Sequence, residues 1–253
     1  MSLRLVSLVF LLCAASVHAG DTRKSGFDFM SASTQAMQRD DSQNPAMLWV
    51  GGGEAGWQRR AGRSGKSCAG CHGDAKVSMR GVAARYPAFD VHTNAAIDLG
   101  ERINACRVRH QQAEPLLPET EELLGLEAYV ALQSRGMPLA PPADARLEPA
   151  LTRGARLFAQ RIGQLNLSCA QCHDANWGRR LGGSTIPQGH ALAYPVYRLE
   201  WQGMGSLQRR LRNCMSGVRA EVPAFNAQEL VDLEVYLAAR ARGMKLEAPG
   251  VRP

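Results

Sequence analysis

The sequence predicts an all-α fold made of two copies of one helical unit behind an N-terminal extension. Two observations predict it: matching residues recur at matching distances in the two halves of the chain, and apolar residues recur at helical spacing within each half. The chain has 253 residues, of which 45% are hydrophobic. A chain of this length and composition can form two small domains, each with a buried core.

The first residues have the pattern of a secretory signal. Arg4 precedes an apolar run, and Ala19 lies at a small-residue cleavage position, so a signal segment over residues 1–19 is predicted. The run is too short to span a bilayer, and no later segment reaches the roughly 20 apolar residues that a membrane helix needs. We therefore expect a periplasmic protein with no membrane association, in which residues 20–43 form a polar extension that packs on the domains or is partly mobile.

The positive charges are spread along the chain. The formal net charge is +7 at neutral pH, and the arginines lie in several separate segments. Such an excess attracts anions or an acidic protein partner. Because the chain lacks the aromatic and base-reading motifs of nucleic-acid-binding proteins, we expect no nucleic acid partner.

Apolar spacing predicts three helices in each copy. The first covers about residues 45–58 in one copy and 151–161 in the other. The second carries two apolar residues and a cysteine, and the third carries four apolar residues, with Asn226 and Glu229 predicted as a capping pair in the second copy. These positions are, in the second helices, Leu99, Ile103, Cys106 and Leu207, Leu211, Cys214, and in the third helices, Leu123, Leu126, Tyr129, Val130 and Leu230, Leu233, Tyr236, Leu237.

The duplication extends beyond the helices. Trp57 and Phe158 each lie eleven residues before a cysteine, and Gly53 and Gly154 each lie fifteen residues before the same cysteines. The segment EAYVALQSRGM in the first half parallels EVYLAARARGM in the second. The main difference is a seven-residue insertion in the second half, within DANWGRRLGGSTIPQGHALA, whose glycines predict a loop.

The repeat defines two domains. We expect the first over residues 44–140 and the second over residues 141–253. The segment MPLAPPADARLEP contains four prolines and is predicted to connect them.

Two C-x-x-C-H motifs follow the first helices: CAGCH and CAQCH. This pattern is typical of covalent c-type haem attachment, because two thiols one turn apart bond the porphyrin and the next imidazole binds the iron. A redox C-x-x-C or half of a zinc site is the alternative, but two such motifs in one exported chain favour haem. The predicted attachment cysteines are Cys68, Cys71, Cys169 and Cys172, and the predicted axial histidines are His72 and His173.

Three helices around a haem are the arrangement of a class I cytochrome c domain. The prediction is therefore two tandem class I cytochrome c-like domains, each with one covalently attached haem c. Residues 1–19 and 20–43 precede them.

Cys106 and Cys214 remain after the motif cysteines. Two thiols in an exported protein predict a disulfide, but equivalent positions of two separate domains need not come within bonding distance. Both cysteines lie on the apolar face of a helix, so we favour each as the sixth ligand of its own haem iron. The competing methionine ligands are Met79, Met137, Met204, Met215 and Met244.

An anionic sulfur ligand stabilises ferric iron and lowers the reduction potential of a haem. His/Cys ligation at both sites would therefore set this chain apart from an ordinary high-potential electron carrier. A non-enzymatic dihaem electron carrier remains an alternative.

The chain resembles the SoxA family, the A subunits of the SoxAX cytochromes of bacterial thiosulfate oxidation. Both haem motifs carry the resemblance together with longer segments: SGFDFMSASTQAMQ, NPAMLWV, CHDANWGRRLGGSTIPQGHALAYPVYRLEWQ and RRLRNCMSGVRAE. The resemblance implies L-cysteine S-thiosulfotransferase activity, the oxidative joining of thiosulfate to a cysteine of the SoxYZ carrier. It also implies a heterodimer with a monohaem cytochrome, SoxX.

The resemblance assigns roles to individual residues. His72 with Cys106, and His173 with Cys214, match the family's axial ligand pairs. Cys214 also matches the active-site cysteine, which is a persulfide in the family. Arg210, four residues before it, matches the substrate-binding arginine.

Residue chemistry is consistent with that role for Arg210. Residues four apart share a helix face, so Arg210 can bind the sulfonate oxygens of thiosulfate beside the Cys214 sulfur. Arg102 stands at the same offset from Cys106, however, so an arginine here can equally serve the haem or the fold. A dihaem thiosulfate dehydrogenase, which forms tetrathionate without a carrier, is the nearest enzymatic alternative.

Overall fold

The computed structural model of this chain describes residues 21–253, so the predicted signal segment over residues 1–19 lies outside the described residues. The described part is helical, with several strands of two or three residues. The first half and its preceding segment contain α1 Ala32–Arg39, α2 Ala46–Gln58, α3 Cys68–His72, α4 Ala75–Ser78, β1 Ala88–Asp90, β2 Ala95–Ile97, α5 Leu99–Cys106 and α6 Glu121–Leu132.

The second half repeats this order with additions. Its elements are α7 Glu148–Ala159, α8 Cys169–His173, β3 Arg180–Leu181, β4 Ser184–Thr185, β5 Val196–Arg198, β6 Gly203–Gly205, α9 Leu207–Gly217, α10 Gln228–Arg240 and β7 Gly250–Arg252. The predicted all-α duplicated fold is confirmed, and the strands, which the sequence analysis did not predict, are short. Within residues 21–253, every helix is too short or too polar to cross a lipid bilayer.

Side-chain caps fix where several helices begin. Asp98 accepts a hydrogen bond from the Glu101 amide at the start of α5, and Ser206 accepts one from the Arg209 amide at the start of α9. The predicted capping box at α10 is wrong. Ala227 precedes that helix without a side-chain hydrogen bond, because Asn226 has a left-handed backbone with φ of 61°, which an N-cap residue does not adopt.

A glycine holds the first and third helices of each half in backbone contact. A Cβ atom on Gly53 of α2 would lie 1.9 Å from the carbonyl oxygen of Gly125 in α6. In the second half, a Cβ atom on Gly154 of α7 would lie 2.0 Å from the Asp232 carbonyl oxygen in α10. Only glycine allows this approach, which explains why the repeat keeps it at both positions.

Each half places a two-stranded hairpin directly before its second helix. Strand β1 pairs antiparallel with β2, and β5 pairs with β6 in the same register relative to the following helix. In the second half, β7 adds a third strand, parallel to β5. The two hairpins are thus equivalent parts of the duplicated unit.

The extension and the connection both pack on the second half. Gln38 of α1 accepts a hydrogen bond from the Val251 amide, and Arg23 donates to the carbonyls of Arg240 and Arg242. Pro138 of the connection forms a β-bridge with Lys245. The expected packing of the extension on the domains is confirmed for residues 21–43, whereas the expected domain boundaries stay a prediction.

Three carboxylates lie where the two halves meet: Glu234 is buried, and Asp98 and Glu127 are half-buried. Asp98 lies at the start of α5, Glu127 on α6 and Glu234 on α10, and the Gln208 amide donates to Asp98 Oδ2 at 3.0 Å. One oxygen of Glu234 is buried without a hydrogen-bond partner. Burial raises the pKa of Asp98, Glu127 and Glu234, and their mutual repulsion adds to the rise for the two glutamates.

The glycine contact between α2 and α6 can be tested by mutation. We expect Gly53→Ala to lower the free energy of unfolding by about 3 kcal/mol, because its methyl group overlaps backbone atoms that cannot move separately. Gly52→Ala, one residue away and facing open space, should instead raise it by about 0.5 kcal/mol. Urea denaturation of both variants gives the comparison, and equal midpoints would show that the contact is unimportant.

The buried carboxylates predict a stability that falls with rising pH. Burial, and then the charge of Asp98, raise the pKa of Glu101 to about 7. Because the folded-state pKa values are raised, these carboxyls bind protons more tightly in the folded protein than in the unfolded chain, and protonation stabilises the fold. This stabilisation is complete below the pKa of an unfolded carboxyl and is lost as pH rises through the folded-state pKa values. Unfolding measured between about pH 5 and 8 should show this decline.

A double variant and a matched control identify the groups responsible. Glu127→Gln with Glu234→Gln should flatten the pH dependence, whereas Glu229→Gln, exposed on the same helix as Glu234, should leave its slope unchanged. A slope that is the same in all three proteins would assign the pH dependence to other groups.

Candidate functional site

Each C-x-x-C-H motif forms a single helical turn with a serine cap. Ser67 accepts a hydrogen bond from the Gly70 amide at 3.0 Å in α3, and Ser168 accepts one from the Gln171 amide at 3.2 Å in α8. The turn places both cysteines of a motif on neighbouring positions with the histidine at its end. Both motifs therefore have the local structure that haem attachment requires.

The first motif packs against Trp57. The indole lies with its ring centroid 5.7 Å from the ring of His72, and its Nε1 donates to the Gly73 carbonyl at 3.0 Å. His72 and Cys71 are exposed, whereas Cys68 is half-buried. Cys68 packs against the apolar cluster that contains Trp57, and this burial raises the pKa of its thiol.

The second motif is more deeply set. His173 Nδ1 and the Pro187 carbonyl oxygen are 2.8 Å apart, so the imidazole donates its Nδ1 hydrogen and leaves Nε2 free. Burial lowers the pKa of His173, and the hydrogen bond to Pro187 partly opposes this. Burial and the nearby Cys214 raise the pKa of Cys169 to about 11. A neutral, oriented imidazole of this kind can bind a metal.

Pro187 lies in the segment DANWGRRLGGSTIPQGHALA, which contains the seven-residue insertion, and the sequence analysis did not identify it. This segment also forms the β3–β4 hairpin, and its Trp177 packs edge-on against Phe29 of the extension with ring centroids 6.2 Å apart. A Cβ atom on Gly189 would lie 3.1 Å from the His173 ring, so this loop covers the imidazole closely. In the sequence, Pro187 two residues before Gly189 was the signal that could have indicated this turn against the imidazole.

Cys106 and Cys214 end up beside the motif cysteines of their own halves. The pKa of Cys106 is raised by burial and, to a smaller degree, by the charge of Cys71, while Arg102 and Arg109 oppose the rise. The six cysteines of residues 21–253 are all unbonded, so the disulfide alternative for Cys106 and Cys214 finds no support in the described chain.

The helix geometry after these two cysteines differs. A π-helical turn, Arg107–Gln111, follows Cys106, whereas α9 continues past Cys214 to Gly217. Gln111, which ends the π-helical turn, donates to the Lys66 carbonyl next to the first motif. π-Helical turns are frequent at functional sites. Here the turn links α5 to the first motif through the hydrogen bond of Gln111.

The methionines considered as iron ligands mostly fill core clusters. Met204 of β6 is 2% exposed and packs with Tyr197 and Val251. Met244 packs against the cluster around Leu139. Packing accounts for these two methionines, and the choice between sulfur ligands stays a prediction.

Arg210 lies beside Cys214 on α9. Burial alone would lower its pKa, but the neighbouring Cys214, Tyr194 and Glu200 raise it. The Arg210 guanidinium forms no ion pair with a carboxylate of residues 21–253 at 4 Å or less. The structure thus brings together the two residues that the sequence paired, and the guanidinium remains available to an anion.

The residues of each half fit a haem c. The donor set consists of two thiols on one turn, an imidazole and a further sulfur, and apolar side chains adjoin it in both halves. In the second half, Cys169, Leu207, Leu211 and Met215 all pack against the buried cluster that contains Phe158. Apolar surroundings and paired thiols are what a covalently held porphyrin needs.

A duplicated unit of this kind, with a C-x-x-C-H turn held by three helices, defines a c-type cytochrome with two cytochrome c domains. The cytochrome c domain model of the SoxA/TsdA family matches residues 52–139 and again residues 153–246. Cytochrome c domains bind haem c, which is therefore the cofactor of this chain.

Known SoxA proteins match the chain over most of its length. The L-cysteine S-thiosulfotransferase subunit SoxA of Pseudaminobacter salicylatoxidans is 37% identical over 98% of this chain and 87% of that protein. That of Paracoccus pantotrophus is 34% identical over 92% of this chain and 80% of that protein. The crystal structure of SoxXA from P. pantotrophus superposes with a TM-score of 0.87 at 33% identity, covering 91% of this chain and 87% of that one. The chain belongs to the SoxA family.

Proposed function

We propose that this protein is the SoxA subunit of an L-cysteine S-thiosulfotransferase, which joins thiosulfate oxidatively to a cysteine of a SoxYZ carrier. The carrier thiolate and the outer sulfur of thiosulfate form one sulfur–sulfur bond, and two electrons leave to a c-type cytochrome. The observation that carries the proposal is the unpaired Arg210 guanidinium one turn from Cys214 on α9. The names of relatives matched over nearly the whole chain support it.

The chain's own residues divide the work. Arg210 binds the sulfonate oxygens of thiosulfate through paired charge-assisted hydrogen bonds, which leaves the outer sulfur directed away from the guanidinium. The sulfur of Cys214, or of its persulfide, bonds to the outer sulfur of thiosulfate with loss of two electrons. The carrier thiolate then attacks that outer sulfur, breaks the bond to the Cys214 sulfur and releases it as a thiolate. The neighbouring Tyr194 is half-buried, and desolvation raises the pKa of its phenol, which favours the neutral form beside the anion. A haem held by Cys169, Cys172 and His173 would supply an acceptor for the two electrons.

The haem ligands follow from the two sites. The chain carries two haem c groups, attached through Cys68 and Cys71 in the first half and through Cys169 and Cys172 in the second. The axial ligands are His72 and Cys106 in the first half and His173 and Cys214 in the second. The hydrogen bond from His173 to Pro187 supports this assignment in the second half, because it leaves Nε2 as the ring nitrogen that would bind a metal.

Two protein partners complete the reaction. A SoxX-type monohaem cytochrome forms a heterodimer with this chain and accepts the electrons, which the superposition on SoxXA supports. The SoxYZ carrier binds transiently and presents its cysteine. The signal pattern of residues 1–19 supports a periplasmic location for the complex.

Cys214→Ala should abolish carrier-dependent thiosulfate oxidation, because it removes the reacting sulfur. The measurement is cytochrome c reduction by the complex with SoxX, with thiosulfate and SoxYZ as substrates, followed by mass analysis of the carrier cysteine. Cys106→Ala, the equivalent change in the first half, is the matched control and should retain turnover.

Three results would contradict the proposal. Full activity of Cys214→Ala would remove its catalytic role. Tetrathionate formation from thiosulfate and an electron acceptor without SoxYZ would assign the chain to the thiosulfate dehydrogenase class. Electron transfer with neither conjugation nor tetrathionate would indicate a non-enzymatic electron carrier.

Intact mass and peptide mapping test the haem assignment. We expect the mature protein to carry two haem groups, one on each motif peptide, and one additional sulfur atom on the peptide that contains Cys214. A single haem, or haem-free cysteines in either motif, would show that one half does not bind the cofactor.

A further inference from the structure

The two halves place opposite charges at one equivalent position. Asp90 is the last residue of β1 and pairs with Ala95, and Arg198 is the last residue of β5 and pairs with Gly203. Each lies sixteen residues before the cysteine of its half, Cys106 or Cys214. Strand position, pairing register and sequence offset all agree, so the two residues are structurally equivalent.

In the first half, Asp90 forms ion pairs with two arginines, one of which lies beside the cysteine. Arg102 Nη2 lies 3.0 Å from Asp90 Oδ1, and Arg109 Nη2 lies 3.0 Å from Asp90 Oδ2. The Arg102 Nε also donates to the Tyr86 hydroxyl at 3.2 Å. Asp90 is 2% exposed. Arg102 is therefore held by the protein itself.

In the second half, the carboxylate is replaced by a second guanidinium. Arg210 is equivalent to Arg102 and has no carboxylate partner, while Arg198 is 9% exposed and pairs through Nη2 with Glu200 at 3.0 Å. The Nε of Arg198 is buried and has no hydrogen-bond partner. Burial, and then the positive charge of Arg210, lower the pKa of Arg198, so the two guanidiniums repel each other.

The positions of Arg198 and Arg210 favour the binding of an anion. They are equivalent to those of Asp90 and Arg102, which lie 3.0 Å apart in the first half, so the equivalence places the two guanidiniums next to each other. Guanidinium N–H groups match the oxygens of a sulfonate, phosphate or carboxylate. The buried, unpartnered Nε of Arg198 is unfavourable until a ligand accepts its hydrogen bond. Because Arg210 lies one turn from Cys214 on α9, the ligand is an anion that reacts at sulfur.

We propose that Arg198 and Arg210 together form a two-arginine subsite for the sulfonate group of thiosulfate, and that Asp90 prevents such a subsite in the first half. This inference rests on the proposed function for the identity of the anion. It adds Arg198 as a substrate-binding residue. It also explains why two halves with equivalent arginines and cysteines differ in chemistry.

The test measures thiosulfate binding and turnover in the assembled complex with SoxX. Isothermal calorimetry of the oxidised complex gives the Kd for thiosulfate, and the carrier-dependent assay gives KM and kcat. Arg198→Met should raise Kd and KM about tenfold, the loss expected for one charge-assisted contact. At saturating thiosulfate, kcat should change less than KM.

Three further variants keep the test informative. Arg198→Asp recreates the first half's pairing with Arg210 and should weaken binding more than Arg198→Met does. Arg198→Lys should weaken binding least, because it keeps the positive charge and much of the packing. It should still weaken binding, because an ammonium lacks the paired N–H groups of a guanidinium. Arg209→Gln removes the same charge from the same helix as Arg210, where Arg209 instead packs on Trp201 at 4.2 Å, and should leave Kd unchanged.

Several outcomes would overturn the subsite. Unchanged Kd and KM in Arg198→Met and Arg198→Asp would do so. A lower unfolding midpoint with unchanged Kd would show that Arg198 only supports the fold through Glu200 and Trp201. A changed haem potential with unchanged Kd would show that it contacts the haem instead.

Failure of the proposed function gives a different pattern. The wild-type complex would then show no SoxYZ-dependent turnover, while the calorimetric comparison of wild type and Arg198→Met still decides whether Arg198 binds the anion. Sulfate, which cannot be oxidised, should compete with thiosulfate in the wild type and more weakly in Arg198→Met.

Discussion

The close crossing of two helices in each half, at a glycine, supports the rest of the structure. Gly53 and Gly154 bring α2 against α6 and α7 against α10 at a distance that no side chain permits. Trp57 and Phe158, four residues farther along α2 and α7, are thereby placed under the haem-motif turns. The motif turns, the hairpins and the cysteine-bearing helices are all positioned relative to this pair of helices.

Equivalent backbones have acquired different electrostatic environments. In the first half, Asp90 lies between two arginines, and His72 is exposed beside Trp57. In the second half, the carbonyl of Pro187 lies beside the imidazole of His173, and Arg198 occupies the position that Asp90 has in the first half. Both changes occur on loops and strand ends, where a side chain can change without disturbing helix packing. One duplicated scaffold thus holds two sites with different charged side chains around them.

The sequence predicted correctly those features that depend on residues close together along the chain. The motif turns, the helix periodicity and the pairing of Arg210 with Cys214 are properties of neighbouring residues, and they were predicted. The prediction of a capping pair of Asn226 and Glu229 was wrong. Asn226 has a left-handed backbone, so Ala227 takes the N-cap position and α10 begins at Gln228. The amide of Asn226 donates to Gln208 on α9, a tertiary contact that no local pattern indicates.

By itself, the sequence determined the duplicated helical fold, the haem motifs and the candidate cysteines, because each depends on spacing along the chain. Its resemblance to the SoxA family, carried by long matching segments, indicated the family. Only the tertiary structure decided which charges meet. Asp90 and Arg102 are twelve residues apart, and Arg198 and Arg210 are separated by the same interval. A hairpin and a helix turn bring the members of each pair together, so that one arginine is neutralised and the other is left for an anion. Burial and ion pairing are set by three-dimensional proximity, which spacing along the chain does not specify.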